Sequence, residues 1–173
     1  EDAADLVRQT MFLQSVGNPS VEHEYAGPEG IVPLVCDGRL VAQALTNVLK
    51  NAAEAVGAKF DPDGSASEHA KGGEIIVRLK HDERSVCIEV EDNGIGLPRQ
   101  DRDKLTEPYV TTRGKGTGLG LAIVKKVMED HGGSITLADA PTLGGALVTL
   151  SFPLKLRVPR SEEVTHEQDS ELA

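Results

Sequence analysis

The chain has 173 residues, of which 39% are hydrophobic, and a formal net charge of −10. That length sets one domain with short appendages, its core aliphatic because there are three Phe, two Tyr and no Trp. The acidic balance argues against a nucleic-acid backbone as main partner, and without a signal peptide or an apolar run near about 18 residues the expectation is a soluble piece of a larger protein.

Residues 3–15 read as a helix carrying Leu6, Val7, Met11 and Leu13, ended by Gly17-Asn18-Pro19. Val21, His23 and Tyr25 then alternate as a strand. Residues 31–36 form another after the Gly27-Pro28-Glu29-Gly30 turn. Cys36 and Cys87 both fall in apolar, strand-like segments and read as reduced core thiols. Asp37 is placed to cap a helix over 38–56 whose apolar face is Leu45, Val48, Leu49, Ala52 and Val56. Opposite that face, Asn47, Asn51 and Glu54 make one polar stripe. A solvated surface is one account of the stripe. The other is ligation, since a neutral amide oxygen suits Mg²⁺, which takes few protein ligands and otherwise holds water and phosphate oxygens.

Residues 57–73 are small, polar and aperiodic, and read as a flexible loop without a site. An antiparallel hairpin over 74–80 and 85–91 follows, turning at 81–84 and delivering Asp92 to its tip. There the first of two glycine clusters begins, Asp92-Asn93-Gly94-Ile95-Gly96-Leu97-Pro98. The second is Gly114-Lys115-Gly116-Thr117-Gly118-Leu119-Gly120-Leu121, and it leads into a helix over 117–131 stopped by Gly132-Gly133. Glycines let a ligand approach the backbone without meeting a Cβ. A helix start offers free N–H groups to an anion, whereas a carboxylate beside a glycine turn can accept a hydrogen bond from an amino group such as that of adenine. The pattern implies a nucleotide with its base at Asp92 and its phosphates near 116–120. The spacing fits neither the dinucleotide fingerprint, whose third glycine would come one residue later, nor the P-loop.

Between the clusters, Glu107-Pro108-Tyr109-Val110-Thr111-Thr112-Arg113 holds hydroxyls and a cation without apolar period, the composition of a lid over phosphates. Strands over 134–138 and 146–152 follow, joined by a turn with Pro141, Gly144 and Gly145. The acidic segment 157–173 reads as a disordered tail.

In this order the pieces resemble the catalytic ATP-binding domain of sensor histidine kinases, a branch of the family that includes gyrase B, Hsp90 and MutL. Asn47-Val48-Leu49-Lys50-Asn51-Ala52-Ala53-Glu54-Ala55 is similar to the N box, 92–97 to the G1 box, 107–113 to the F box and 116–121 to the G2 box. The wording of 107–113 and 120–126 looks most like the NtrY-type nitrogen-regulation kinases.

The resemblance implies an α+β fold: a two-layer sandwich of the Bergerat type, with a mixed, mostly antiparallel sheet packed against three helices. It implies a division into 1–17, the connection from a dimerisation domain; 18–156, the catalytic domain with its lid at about 97–116; and the tail. It assigns Mg²⁺ to Asn51, phosphate positioning to Asn47, the adenine amino group to Asp92, and the base pocket to Gly94 and Gly96. Phosphate contacts fall to Lys115, Gly116, Thr117, Gly118, Leu119 and Gly120. Two departures stand out. Glu54 replaces a basic residue common in relatives, leaving Arg113 and Lys115 as the catalytic cations, and Ala146 replaces a common Thr near the adenine.

ATPase relatives activate water with a Glu where this chain has Asn47, and an amide cannot serve as a general base. Transfer to a nucleophile fits better. His23-Glu24-Tyr25-Ala26-Gly27-Pro28 carries the letters of an acceptor motif but alternates as a strand. His69, His81, His131 and His166 read as structural or solvated. The implied reaction is therefore phosphoryl transfer from Mg·ATP to a His on a separate dimerisation domain, relayed to an Asp of a response regulator. Alternatives are a nucleotide-sensing regulatory domain and an anti-sigma-type serine kinase of the same fold. The expected setting is the cytoplasmic face of a bacterial inner-membrane protein, and the isolated domain is expected to be a monomer.

Overall fold

The computed structural model describes residues 1–64, 72–108 and 120–155. Helix α1 spans Ala3–Gly17, strand β1 Val21–Ala26 and helix α2 Gly38–Phe60. The hairpin strands are β2, Gly73–His81, and β3, Ser85–Asp92. After a 3-10 turn at Arg102–Thr106 come helix α3, Gly120–Asp130, and strands β4, Ser134–Asp139, and β5, Ala146–Pro153.

The strands form one sheet in the order β1-β2-β3-β5-β4. Only the β1–β2 pairing among them is parallel, with α2 in the crossover, as parallel neighbours require a long connection. Register aligns Val77, Val90, Val148 and Leu137 across the sheet, and Leu79, Ile88, Leu150 and Ile135 two residues further along. These residues face the helix layer, where Leu45, Val48, Leu49 and Val56 of α2 and Val124, Val127 and Met128 of α3 complete the core. The two-layer sandwich with a mixed sheet and three helices is the architecture expected.

Helix α1 belongs to the same core. Ala3, Ala4, Val7 and Met11 are buried. Asp2 caps the helix by accepting from Ala4 N–H at 3.0 Å. Leu13, expected on the apolar face, is 67% exposed, because the buried stripe runs through 3, 7 and 11.

Residues 31–36 do not form the expected strand. Pro33 makes an isolated bridge to Asp2, and Ala3 N–H donates to Val32 O at 2.8 Å while Leu34 N–H donates to Glu1 O at 2.9 Å. Val32 and Leu34 point inward and Val35 is 99% exposed. The burial alternates as in a strand, but Pro33 has no N–H with which to extend a ladder. Cys36 therefore lies outside the sheet and Cys87 within it; both are free thiols.

Asp37 caps α2 as expected, its carboxylate accepting from Arg39 and Leu40 N–H at 3.0 and 3.1 Å. The helix runs on to Phe60, four residues past the expected end, so the loop assigned to 57–73 begins later; residues 65–71 of that loop, like the tail, lie outside the described residues.

Candidate nucleotide site

Asp92 is the last residue of β3 and shares the inward side of that strand with Val86, Ile88 and Val90. A carboxylate therefore continues a line of core residues, and it is 3% exposed. Its Oδ1 accepts the Gly94 N–H at 2.8 Å, closing a tight local turn, and the Ala146 N–H at 3.3 Å. Its carbonyl accepts the Gly145 N–H at 3.0 Å. Ala146, where a Thr side chain was expected to be missed, contributes this backbone donor instead.

Two glycines make that corner possible. A Cβ on Gly94 would lie 2.6 Å from the Ala55 carbonyl oxygen of α2, and Ile95 N–H donates to the same oxygen at 3.1 Å. A Cβ on Gly145 would overlap the Asp92 carboxylate and come 2.7 Å from Gly94 N. Gly96 has φ +80, beside the Gly145 backbone. Gly145 was expected only as a turn residue. Its role was invisible because its partner lies on another strand.

One helical turn before Ala55 on α2 stands Asn51, half-buried, with Asn47 half-buried a further turn back and Glu54 exposed. A Cβ on Gly120 would sit 3.8 Å from both Nδ2 and Oδ1 of Asn51. Gly120, the first described residue of α3, and the Asn51 amide therefore face each other. Among the predicted site residues the fold thus brings Asn51 to Gly120, and Asp92 to Gly94 and Gly96, with α2 joining the two groups. Arg113, Lys115, Gly116, Thr117, Gly118 and Leu119 lie outside the described residues.

The described part of the lid region holds the 3-10 turn, which its sequence did not announce. Leu105 is buried there, Arg102 Nε donates to Pro98 O at 2.8 Å, and Arg102 Nη2 pairs with Asp139 of β4 at 2.6 Å.

Several polar residues serve the frame. Asn93 clips the start of β2, accepting Glu74 N–H on Oδ1 at 2.8 Å and donating Nδ2 to Gly72 O at 2.6 Å. His131 donates Nδ1–H to Val127 O at 2.7 Å and accepts Asp37 N–H on Nε2 at 3.0 Å, tying the end of α3 to the start of α2. His23 sits in β1, its Nδ1 3.0 Å from Val21 O, and burial pushes its pKa down against that hydrogen bond. The strand expected there is present, so no helical acceptor motif exists at this histidine.

Glu91, next to Asp92 on the opposite side of β3, is fully buried, and sequence reasoning passed over it. Burial opposes its charge, but the Leu143 N–H, the Arg78 guanidinium and the Thr142 N–H together hold its pKa below the usual glutamate range.

Residues 36–156 match the family described as histidine kinase-, DNA gyrase B-, and HSP90-like ATPase. The chain is 48% identical over 162 residues to the nitrogen regulation protein NtrY of Azorhizobium caulinodans, covering 94% of this chain and 20% of that protein. It spans about a fifth of the length of the curated relatives it matches. Among solved structures it is similar to the mycobacterial sensor histidine kinase MprB, with TM-score 0.69 and 27% identity over 88% of this chain and 96% of that one. The catalytic domain of histidine kinase ThkA superposes with TM-score 0.71 and 25% identity, covering 88% and 94%.

Proposed function

The chain belongs to the histidine kinase-, DNA gyrase B-, and HSP90-like ATPase family, and from that premise we propose that it is the ATP-binding catalytic domain of a two-component sensor kinase. One observation supports this reading above the others. Helix α2 holds the tip of β3 at Ala55 and faces Gly120 of α3 at Asn51, so one helix spaces the Asp92 carboxylate from the second glycine cluster, which runs in sequence into α3.

In this reading Asp92 accepts a hydrogen bond from the adenine amino group, and Gly94 and Gly96 shape the base pocket. The phosphates lie toward Gly120, with Gly116, Thr117, Gly118 and Leu119 offering backbone contacts and Arg113 and Lys115 offsetting charge. Asn51 fits Mg²⁺: a neutral amide oxygen at the phosphate end is a suitable single protein ligand for an ion that otherwise keeps waters and phosphate oxygens. Bound there, the ion would neutralise phosphate charge, while Asn47 positions the phosphates.

Asn47 cannot take a proton from water, so the chain's own residues bind and orient without supplying a general base. Phosphoryl transfer depends mainly on such positioning and on charge stabilisation. The acceptor is a His on a separate helical domain of the same protein, and the group then passes to an Asp of a response regulator.

Titration with ATP, with and without Mg²⁺, tests the site. Asp92→Ala is expected to abolish binding, and Asn51→Ala to remove mainly its Mg²⁺ dependence. Undiminished binding by both variants would sink the assignment. With the full-length protein, acid-labile label on His from radiolabelled ATP is the expected outcome, and binding without label would favour a nucleotide sensor.

A further inference from the structure

Two carboxylates follow one another at the tip of β3, and they do different work. Asp92 faces the helix layer. Glu91 lies on the other side of the sheet, where solvent would normally reach it, yet its exposure is 0% because the turn between β4 and β5 covers it. Its Oε1 accepts the Thr142 and Leu143 N–H groups, each at 2.7 Å, and its Oε2 pairs with Arg78 of β2. Two backbone donors and a guanidinium on one carboxylate make a charge-assisted anchor, stronger than neutral hydrogen bonds.

What the anchor holds is the turn that completes the base corner. From Leu143 the chain reaches Gly145, whose carbonyl accepts Ala140 N–H at 2.9 Å and whose N–H donates to Asp92 O at 3.0 Å. Ala146 N–H reaches Asp92 Oδ1 at 3.3 Å. The α-carbon of Gly145 leaves no space for a methyl group against the Asp92 carboxylate. A shift of this turn by a few tenths of an ångström therefore moves the group that reads the base.

We infer that Glu91 is the positioning residue of the base subsite: by clamping the 140–145 turn it fixes the Asp92 carboxylate and so sets selectivity for an adenine amino edge over a guanine carbonyl. The inference rests on the proposed ATP site. Glu91 lies on the face of the sheet opposite Asp92 and acts on the turn through the Thr142 and Leu143 N–H groups.

The test is the ratio of ATP to GTP affinity, measured calorimetrically on the whole chain, with inorganic tripolyphosphate as a base-free reference. Glu91→Ala leaves two turn N–H groups without an acceptor, and the ratio is expected to fall about tenfold while tripolyphosphate affinity holds. Glu91→Gln keeps a carbonyl oxygen at full reach and should recover most of the ratio. Glu91→Asp keeps the charge but is one methylene short, so it should rank below Gln; this pair decides the matter if the Ala variant does not fold. An Asp variant equal to or better than Gln, or a ratio unchanged in both Ala and Asp, overturns the inference. A wild-type chain with no preference for ATP over GTP would instead overturn the underlying site assignment.

Discussion

Around Asp92 the cleft is built of backbone, whereas around Asn51 it is built of side chains on a helix flank. At the first end, three N–H groups from Gly94, Gly145 and Ala146 converge on one residue, and two glycines leave no room for a methyl. At the second end, half-buried amides stand along α2, and Asn51 faces Gly120 of α3. Backbone donors are fixed by the sheet and cannot adjust singly. Amide side chains rotate, so their contribution can be altered without disturbing the fold. On the proposed assignment, the base end at Asp92 should therefore fail as a unit, and the phosphate end at Asn51 by degrees.

The largest test of that contrast is Gly94→Ala. The new methyl meets the Ala55 carbonyl, and overpacking against backbone should cost about 2 kcal/mol, a fall of roughly 5 °C in Tm. Nucleotide binding should vanish with it. A variant melting with wild type and binding ATP normally would erase the distinction between the two ends.

Next comes Asp37→Ala, which removes the α2 cap at a cost of about 1 kcal/mol. Asn51 lies about 20 Å along the helix from that cap at the usual rise per residue. Tm should drop while ATP affinity stays constant, showing that destabilisation alone does not damage the site. Parallel loss of affinity would mean that the amide end is as coupled to the fold as the base end.

Smallest is a pH effect. The pKa of Glu91 is depressed in the folded state, so its stabilisation is complete above the ordinary glutamate range and is lost as pH falls through the folded value. Acidification should therefore narrow the Tm difference between wild type and Glu91→Gln. A gap that widens on acidification would have the sign wrong. The Asn47 and Asn51 amides do not titrate, so their own contribution should not change over the same range.

Much of this was readable in the chain itself. Asn47 and Asn51 announce themselves because helical periodicity fixes which residues share a stripe, and Asp92 because strand alternation ends at it. The roles of Glu91 and Gly145 were not readable, since their partners lie some fifty residues away and meet only once β3 pairs with β5. The 31–36 segment misled for a different reason. Its inward–outward alternation is real, but Val32 and Leu34 enter the core beside a single Asp2–Pro33 bridge rather than in a ladder, and Pro33 is the residue that marks the difference. The end of α2 was placed early because 57–73 reads as one small, polar, aperiodic loop, whereas the helix continues to a half-buried Phe60.

The Asp92 contact to Ala146 spans 54 residues. A ribosome adding roughly 5–20 residues per second takes about 3–10 s to travel that distance. The hairpin that presents the Asp92 carboxylate is thus synthesised well before the strand that locks it, and on the proposed assignment a nascent chain would not hold nucleotide until β5 has emerged and docked. On that assignment cellular ATP would act as a late latch, favouring chains in which β5 has already closed onto β3.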